Sequence, residues 1–163
     1  MQKGKIGLIG LFFFLLACST PPFFTRYKNI ENDKWAIDKS VDFNVAVADS
    51  LASYNLFINI RNTNQYPYSN LFLVVTERYQ NTILQIDTLE YQMADASGRW
   101  LGTGFTSVKE NKLIYKTNYT FPKKGAYSFN IVHAVRKNGQ VLGDKYLQGI
   151  SDVGLQIENT QNN

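Results

Sequence analysis

From Val41 onward the chain alternates between apolar and polar positions. Val41, Phe43, Val45 and Val47 fall on one side of an extended segment, with Asp42 and Asn44 on the other. Tyr54, Leu56, Ile58 and Ile60 repeat the pattern against Asn55, Asn59 and Arg61. A period of two is the mark of a strand with one face in a core and one in water. Leu71-Phe72-Leu73-Val74-Val75 is apolar on both faces, which predicts a central strand covered on both sides. Further strands are expected over 82–91, 111–120 and 126–135, and a last one carries Val153, Leu155 and Ile157 on one face. No long 3.6-residue period appears.

Turn formers punctuate these segments. Asp49-Ser50, the loop Asn62-Thr63-Asn64-Gln65-Tyr66-Pro67, Pro122-Lys123-Lys124-Gly125 and Asn138-Gly139 each supply the residues that tight turns need. Gly98 to Gly104 reads as a glycine-punctuated loop or bulge around Trp100. Seven or eight short strands with regular turns predict an all-β protein, an antiparallel β-sandwich of jelly-roll-like or immunoglobulin-like topology. The sequence does not decide between the two. The sandwich is expected over residues 27–158, with a disordered tail over 159–163.

The N-terminus follows a different pattern. Lys3 and Lys5 precede the apolar run Ile6–Ala17, and a small residue stands before Cys18. A basic start, a short apolar stretch and a small residue at the break make a signal peptide. The run is far short of the roughly 20 residues that a spanning helix needs. Leu15-Leu16-Ala17-Cys18 also matches the bacterial lipobox, so residues 1–17 are expected to be removed and Cys18 to carry fatty chains. One chain holds a protein only marginally, at about 0.8 kcal/mol per buried methylene, whereas a diacylglyceryl and an amide-linked chain together anchor it firmly. Residues 18–26 form the lipidated tether, extended by Pro21-Pro22.

Composition changes the picture in two places. The chain of 163 residues has 17 basic and 13 acidic side chains, but Lys3 and Lys5 leave with the signal, which halves the excess. The pI of about 9.1 therefore overstates its basicity, and charge makes no case for nucleic acid as a partner. Cys18 is the single cysteine, so the domain has no disulfide and stands on its apolar core.

Catalytic patterns are weak. A nucleophilic triad needs a base, and the one histidine, His133, lies in an alternating stretch that suggests a structural role. Zinc needs three or four spaced ligands, and with Cys18 given to lipid no metal site is expected. Asp87 and Glu90 stand three apart on a strand and so face opposite sides; Asp95 follows, and all three read as solvated acids. Gly98-Arg99-Trp100-Leu101-Gly102-Thr103-Gly104 lacks the Gly-Lys-Ser/Thr ending of a phosphate loop, so no cofactor is implied. Its glycines let the backbone turn while Trp100 either plugs the sandwich end or stands out as a contact. Tyr66-Pro67-Tyr68-Ser69-Asn70 offers flat rings, a rigid proline and amides, a surface suited to protein partners, with Arg61 as the nearby cation. Arg61, Tyr66, Tyr68, Asn70 and Trp100 are thus the candidate partner-binding residues.

The chain resembles the GldH family of gliding-motility lipoproteins of Bacteroidota. The likeness runs through the lipobox, Trp35, Tyr54-Asn55-Leu56, Ile60-Arg61-Asn62, Tyr66-Pro67-Tyr68-Ser69-Asn70-Leu71, Asp87-Thr88, Gly98 to Gly104, Gly125-Ala126-Tyr127 and Gly149-Ile150-Ser151-Asp152-Val153-Gly154. The resemblance implies a role in gliding and, by association, in type IX secretion, with other envelope proteins as partners and no enzyme activity. Ser19 and Thr20 carry no retention acid and no acidic run follows Cys18, which points by analogy to the outer membrane, periplasmic face. Asp49-Ser50-Leu51 and Asp87-Thr88-Leu89 match the short O-glycosylation acceptor of these envelopes, and Ser50, in a turn, is the better candidate. The alternative function is a carbohydrate-binding jelly roll, which requires two coplanar exposed aromatics.

Overall fold

The alternation builds a two-layered sandwich. The structure is a computed structural model that describes residues 22–136, 139 and 142–160; the signal segment, Cys18 and the Asn138 half of the Asn138-Gly139 turn lie outside the described residues. Its strands are β1 (Phe24–Asn29), β2 (Lys34–Ala36), β3 (Val41–Val47), β4 (Tyr54–Thr63), β5 (Asn70–Tyr79), β6 (Thr82–Gln92), β7 (Val108–Tyr119), β8 (Gly125–His133), β9 (Tyr146–Gln148) and β10 (Ile150–Asn159). Among the described residues the only helical turn is a 3₁₀ piece at Glu31–Asp33.

One sheet has the order β1-β10-β4-β7 and the other β3-β8-β5-β6, with β2 and β9 as a separate two-stranded ribbon. All pairings are antiparallel. Apart from the β5–β6 hairpin, successive strands of the two sheets cross between the layers, so eight strands form the jelly-roll order. This resolves the choice that the sequence left open.

Inward positions are sealed. Leu56, Ile58 and Ile60 of β4, Leu71 and Leu73 of β5, and Val153, Leu155 and Ile157 of β10 are wholly buried. At the end where the chain enters, Phe23 packs on Tyr54 at 5.2 Å, and Phe121 is ringed by Tyr127 at 4.7 Å, Tyr119 at 5.0 Å and Tyr54 at 5.5 Å. Tilted and edge-on pairs at these separations contribute beyond the area they bury. A disulfide-free domain is thereby closed at one end with aromatic rings.

Two boundaries and the covering of one strand differ from the sequence expectation. β1 begins at Phe24, inside the segment read as tether, because Phe24, Thr25 and Arg26 pair with Ile157, Gln156 and Leu155. β10 continues through Asn159, opposite Tyr54, and the Thr160 amide donates to the Ser53 carbonyl at 2.9 Å, so the ordered chain outlasts the expected boundary at 158. β5 is central in its sheet, yet among the described residues its outer face is only partly covered: Phe72 and Val74 remain half-buried there.

Candidate functional site

The far end of the sandwich, opposite the entry of the chain, collects most of the residues the sequence singled out. The loop from β4 to β5 carries Tyr66 and Tyr68, and the β6–β7 connection brings Trp100 beside them. Tyr66 is the hub: its ring lies 6.0 Å from Tyr68 and 6.1 Å from Trp100, and its hydroxyl donates to the Asn70 carbonyl at 2.7 Å. Burial pushes its phenol far up, so it is a neutral donor. Gly149 makes this packing possible. Its backbone, at φ +79°, runs against the backbone of Gln65 and Tyr66, and its carbonyl accepts from the Thr63 amide at 2.8 Å.

The remaining candidates divide. Tyr68 is half-buried and donates to the Asp144 carboxylate; burial first, then that acid, raises its phenol to about 12. Trp100 is half-buried, and its indole Nε1 donates to Asn64 Oδ1 at 3.2 Å. Asn70 Nδ2 donates to Glu90 Oε1 at 2.9 Å. Arg61 faces away from the loop, on the outer side of its sheet. It lies over the Tyr27 ring at 4.3 Å and meets Glu110 at 3.3 Å, while the Tyr27 hydroxyl donates to the same carboxylate at 2.5 Å. The structure therefore joins Tyr66, Tyr68 and Trp100 and leaves Arg61 out. Tyr66, only 3% exposed, holds the cluster together and offers no face to a partner.

What stands in water at this end was not singled out by the sequence. Leu101 and Leu142 are exposed at 51% and 81%, and Phe105 is fully exposed. The glycines of the loop explain Phe105. Gly104, at φ +142°, lies against the Val108 carbonyl, and Gly102 lies against the Glu110 backbone, so the loop doubles back on β7 and turns its apolar tip outward. An aromatic residue flanked by glycines was the available signal. Beside this end, a cleft of about 490 Å³ opens between β1 and β3, with Trp35 and Val41 among its lining and Lys28, Lys34 and Lys39 at its rim.

The buried titratable groups find partners inside the fold, except that among the described residues His133 Nδ1 has no hydrogen-bond partner. His133 is buried, packs edge-on against Trp35 at 5.4 Å, and directs Nε2 at the Trp35 carbonyl at 3.1 Å; desolvation lowers its pKa. Asp87 and Glu90 do face opposite sides. Glu90 is exposed, whereas Asp87 accepts from the Tyr115 hydroxyl at 2.7 Å. The acid that sequence reasoning missed is Glu77, wholly buried, with Lys116 Nζ at 2.6 Å and the Tyr119 hydroxyl at 2.6 Å. It occupies an inward position in the parity of Leu71, Leu73 and Val75, which was its signal. Lys116 also lies 3.9 Å from Asp87, so two carboxylates share one cation, and the group ties β5 and β6 to β7 across the layers. Burial, then hydrogen bonding to the acids, drives the Tyr115 and Tyr119 phenols far upward. Asp95 folds its own loop: bonds from Ser97 and Arg99 hold its carboxyl down at about 2. Among the described residues, no three His, Cys, Asp or Glu side chains gather where a metal ion is held. Ser50 lies in the Asp49 turn, where the Leu51 amide donates to Asp49 Oδ1 at 2.8 Å; Thr88 is exposed on the outer face of β6.

Comparison with known proteins identifies the family. Residues 23–157 match the family described as GldH lipoprotein. The gliding motility lipoprotein GldH of Flavobacterium johnsoniae is 44% identical over 144 residues, which covers 88% of this chain and 89% of that protein. A GldH homolog from Christiangramia forsetii is also 44% identical, over 146 residues, covering 90% and 89%. Among solved structures, the infectious bursal disease virus VP2 subviral particle aligns with a TM-score of 0.40 and 16% identity over 96% of this chain and 38% of that one, a likeness too low to transfer a function. The chain belongs to the GldH lipoprotein family.

Proposed function

We propose that this protein is a lipid-anchored component of the cell envelope that serves gliding motility by binding other proteins of the motility and type IX secretion apparatus, and that it has no catalytic step of its own. Cys18 carries the fatty chains, and the protein resides in the outer membrane on the periplasmic face. The family match and the lipobox support the anchor. The observation that supports the binding role is the far end of the sandwich, where Leu101 and Phe105 project into water from a loop braced by Trp100. Large apolar side chains on a folded surface mark interaction sites when they gather in one region, and aromatic anchors carry much of the binding energy at interfaces. The hypothesis of a sugar platform fits less well: Tyr66 is buried, and its ring is inclined by 74° to Tyr68 and 52° to Trp100, so it is coplanar with neither.

The test is made in gliding cells. Phe105→Ser with Leu101→Ser should leave abundance and membrane fractionation unchanged and should abolish colony spreading. Cys18→Ser should move the protein out of the membrane fraction. Normal spreading by the double variant would remove the far end as the contact.

A further inference from the structure

β6 and β7 are the outermost strands of their sheets and lie on the same side of the sandwich. Among the described residues each is laddered to one neighbouring strand; on β7 Thr103 also closes the outer groups of Glu110, so its outer row is without a strand from Lys112 onward. Apolar side chains gather along these edges: Ile83, Leu84 and Ile86 on β6 are exposed at 49%, 42% and 59%, and Ile114 on β7 at 59%. β6 holds no Lys, Arg or Pro in its eleven residues, and its charges are Asp87 and Glu90. β1, an edge on the opposite side, is guarded by Arg26 and Lys28. β7 carries Lys109, Lys112 and Lys116. An acidic apolar edge therefore lies beside a basic one.

The two edges stand at the same height. The Tyr91 hydroxyl donates to the Ile114 carbonyl at 2.8 Å, Tyr115 to Asp87 at 2.7 Å, and Lys116 to Gln85 at 3.2 Å. They also run in opposite directions, since β6 starts and β7 finishes at the entry end of the domain.

We propose that this side is the contact of a two-fold dimer, in which β6 of one protomer pairs with β7 of its partner. The inference rests on the lipid anchor: two chains held in one bilayer are related by an axis normal to it, and with the entry end of the domain toward the bilayer that axis runs along the strands. That operation sets β6 antiparallel to the neighbouring β7, at matching height. Ile86 then meets the stretch around Ile114 of the partner subunit, and Glu90 approaches the partner's Lys112. The sheets of an aligned sandwich are inclined to each other by about 30°. The same two-fold reverses the tilt of one sheet as it carries it across, so the paired strands come out aligned. Both edges close at once and the interface is self-complementary, as a closed dimer requires. The other two-fold, perpendicular to the sheets, sets acidic β6 on acidic β6 and sends the two anchors in opposite directions.

The experiment uses full-length protein in its own membranes. Two differently tagged copies are expressed together, one with Ile86→Cys and one with Ile114→Cys, and treated with a short bismaleimide. Both positions are exposed, so neither change disturbs the core. The mixed pair should yield several-fold more crosslinked dimer than either variant alone, and Ile86→Lys in the Ile114→Cys copy should leave the dimer half-formed, because one of the two edges remains. Lysine at position 86 in both copies should abolish it. No crosslink, or a stronger Ile86–Ile86 product, overturns the dimer. Failure of the anchor itself is read separately: wild-type protein would then fractionate as soluble, and its free Cys18 thiol would react with maleimide.

Discussion

Gly149→Ala tests the core of the far end. At φ +79° an L side chain is strained by about 1–2 kcal/mol. The added Cβ would also fall inside the van der Waals shell of the Tyr66 nitrogen, 2.6 Å from Tyr66 Cα and 2.7 Å from the Gln65 carbonyl carbon. These are backbone atoms and cannot rotate away, so the loop must shift, at a further cost of about 1–3 kcal/mol. Alanine recovers about 0.4–1 kcal/mol by restricting the unfolded chain. The sum is a destabilisation of about 2–4 kcal/mol. Gly98→Ala is the matched control: its φ is +83°, with nothing within 4 Å of the added Cβ, so it reports strain without collision. Urea titrations of both variants, read by tryptophan fluorescence, give the difference. With a slope of about 1–3 kcal/mol per molar urea, a collision of about 1–3 kcal/mol makes Gly149→Ala unfold about 0.3 M or more earlier than Gly98→Ala. Equal midpoints would refute the packing of Gly149 against Tyr66.

Two further expectations concern buried charge. Removing the carboxylate of Glu77 by Glu77→Ala leaves Lys116 buried beside Asp87 alone, and should cost about 3–5 kcal/mol, whereas Glu77→Met with Lys116→Met should recover most of that loss in the same urea titration; additive losses would show that the pair does not act as a unit. His133 gives a pH dependence with a definite sign. Its folded pKa lies below the ordinary value of 6.5, so the unfolded chain takes up the proton first as pH falls. Stability should decline below about pH 6.5 with a slope of at most about 1.4 kcal/mol per pH unit, and His133→Gln should flatten that slope; an unchanged slope would assign the dependence to other groups.

The sequence shows the sandwich most clearly where alternation is strict. β3, β4 and β10 put Val45, Ile58 and Leu155 where their period places them, because each strand has one face in the core. β5 misleads for a physical reason. Its continuous apolar run is the pattern of a strand covered on both faces, yet Phe72 is only half-covered, sharing a groove with Ile37 and Gly143. β1 is hidden because edge position lets Arg26 and Lys28 occupy alternate sites that a central strand would fill with apolar residues. β2 and β9, three residues each, are too short to carry a period. At the far end, the Tyr66–Tyr68–Trp100 cluster is readable from ring-bearing loops. The turn of Arg61 toward Tyr27 is not, since strand parity decides it: position 61 is outward on β4, and Gly154 leaves room for Tyr27 to lie on the sheet.

The pairing of β1 with β10 has a consequence for how this protein is made. The first strand finds its only sheet neighbour in the last, and β10 also divides β1 from β4. The N-terminal strand thus has nothing to ladder with until the final residues of the domain have been made. Such long-range closure is slow. The first strand is therefore the last to be fixed, and its sheet stays open on that side until β10 is in place.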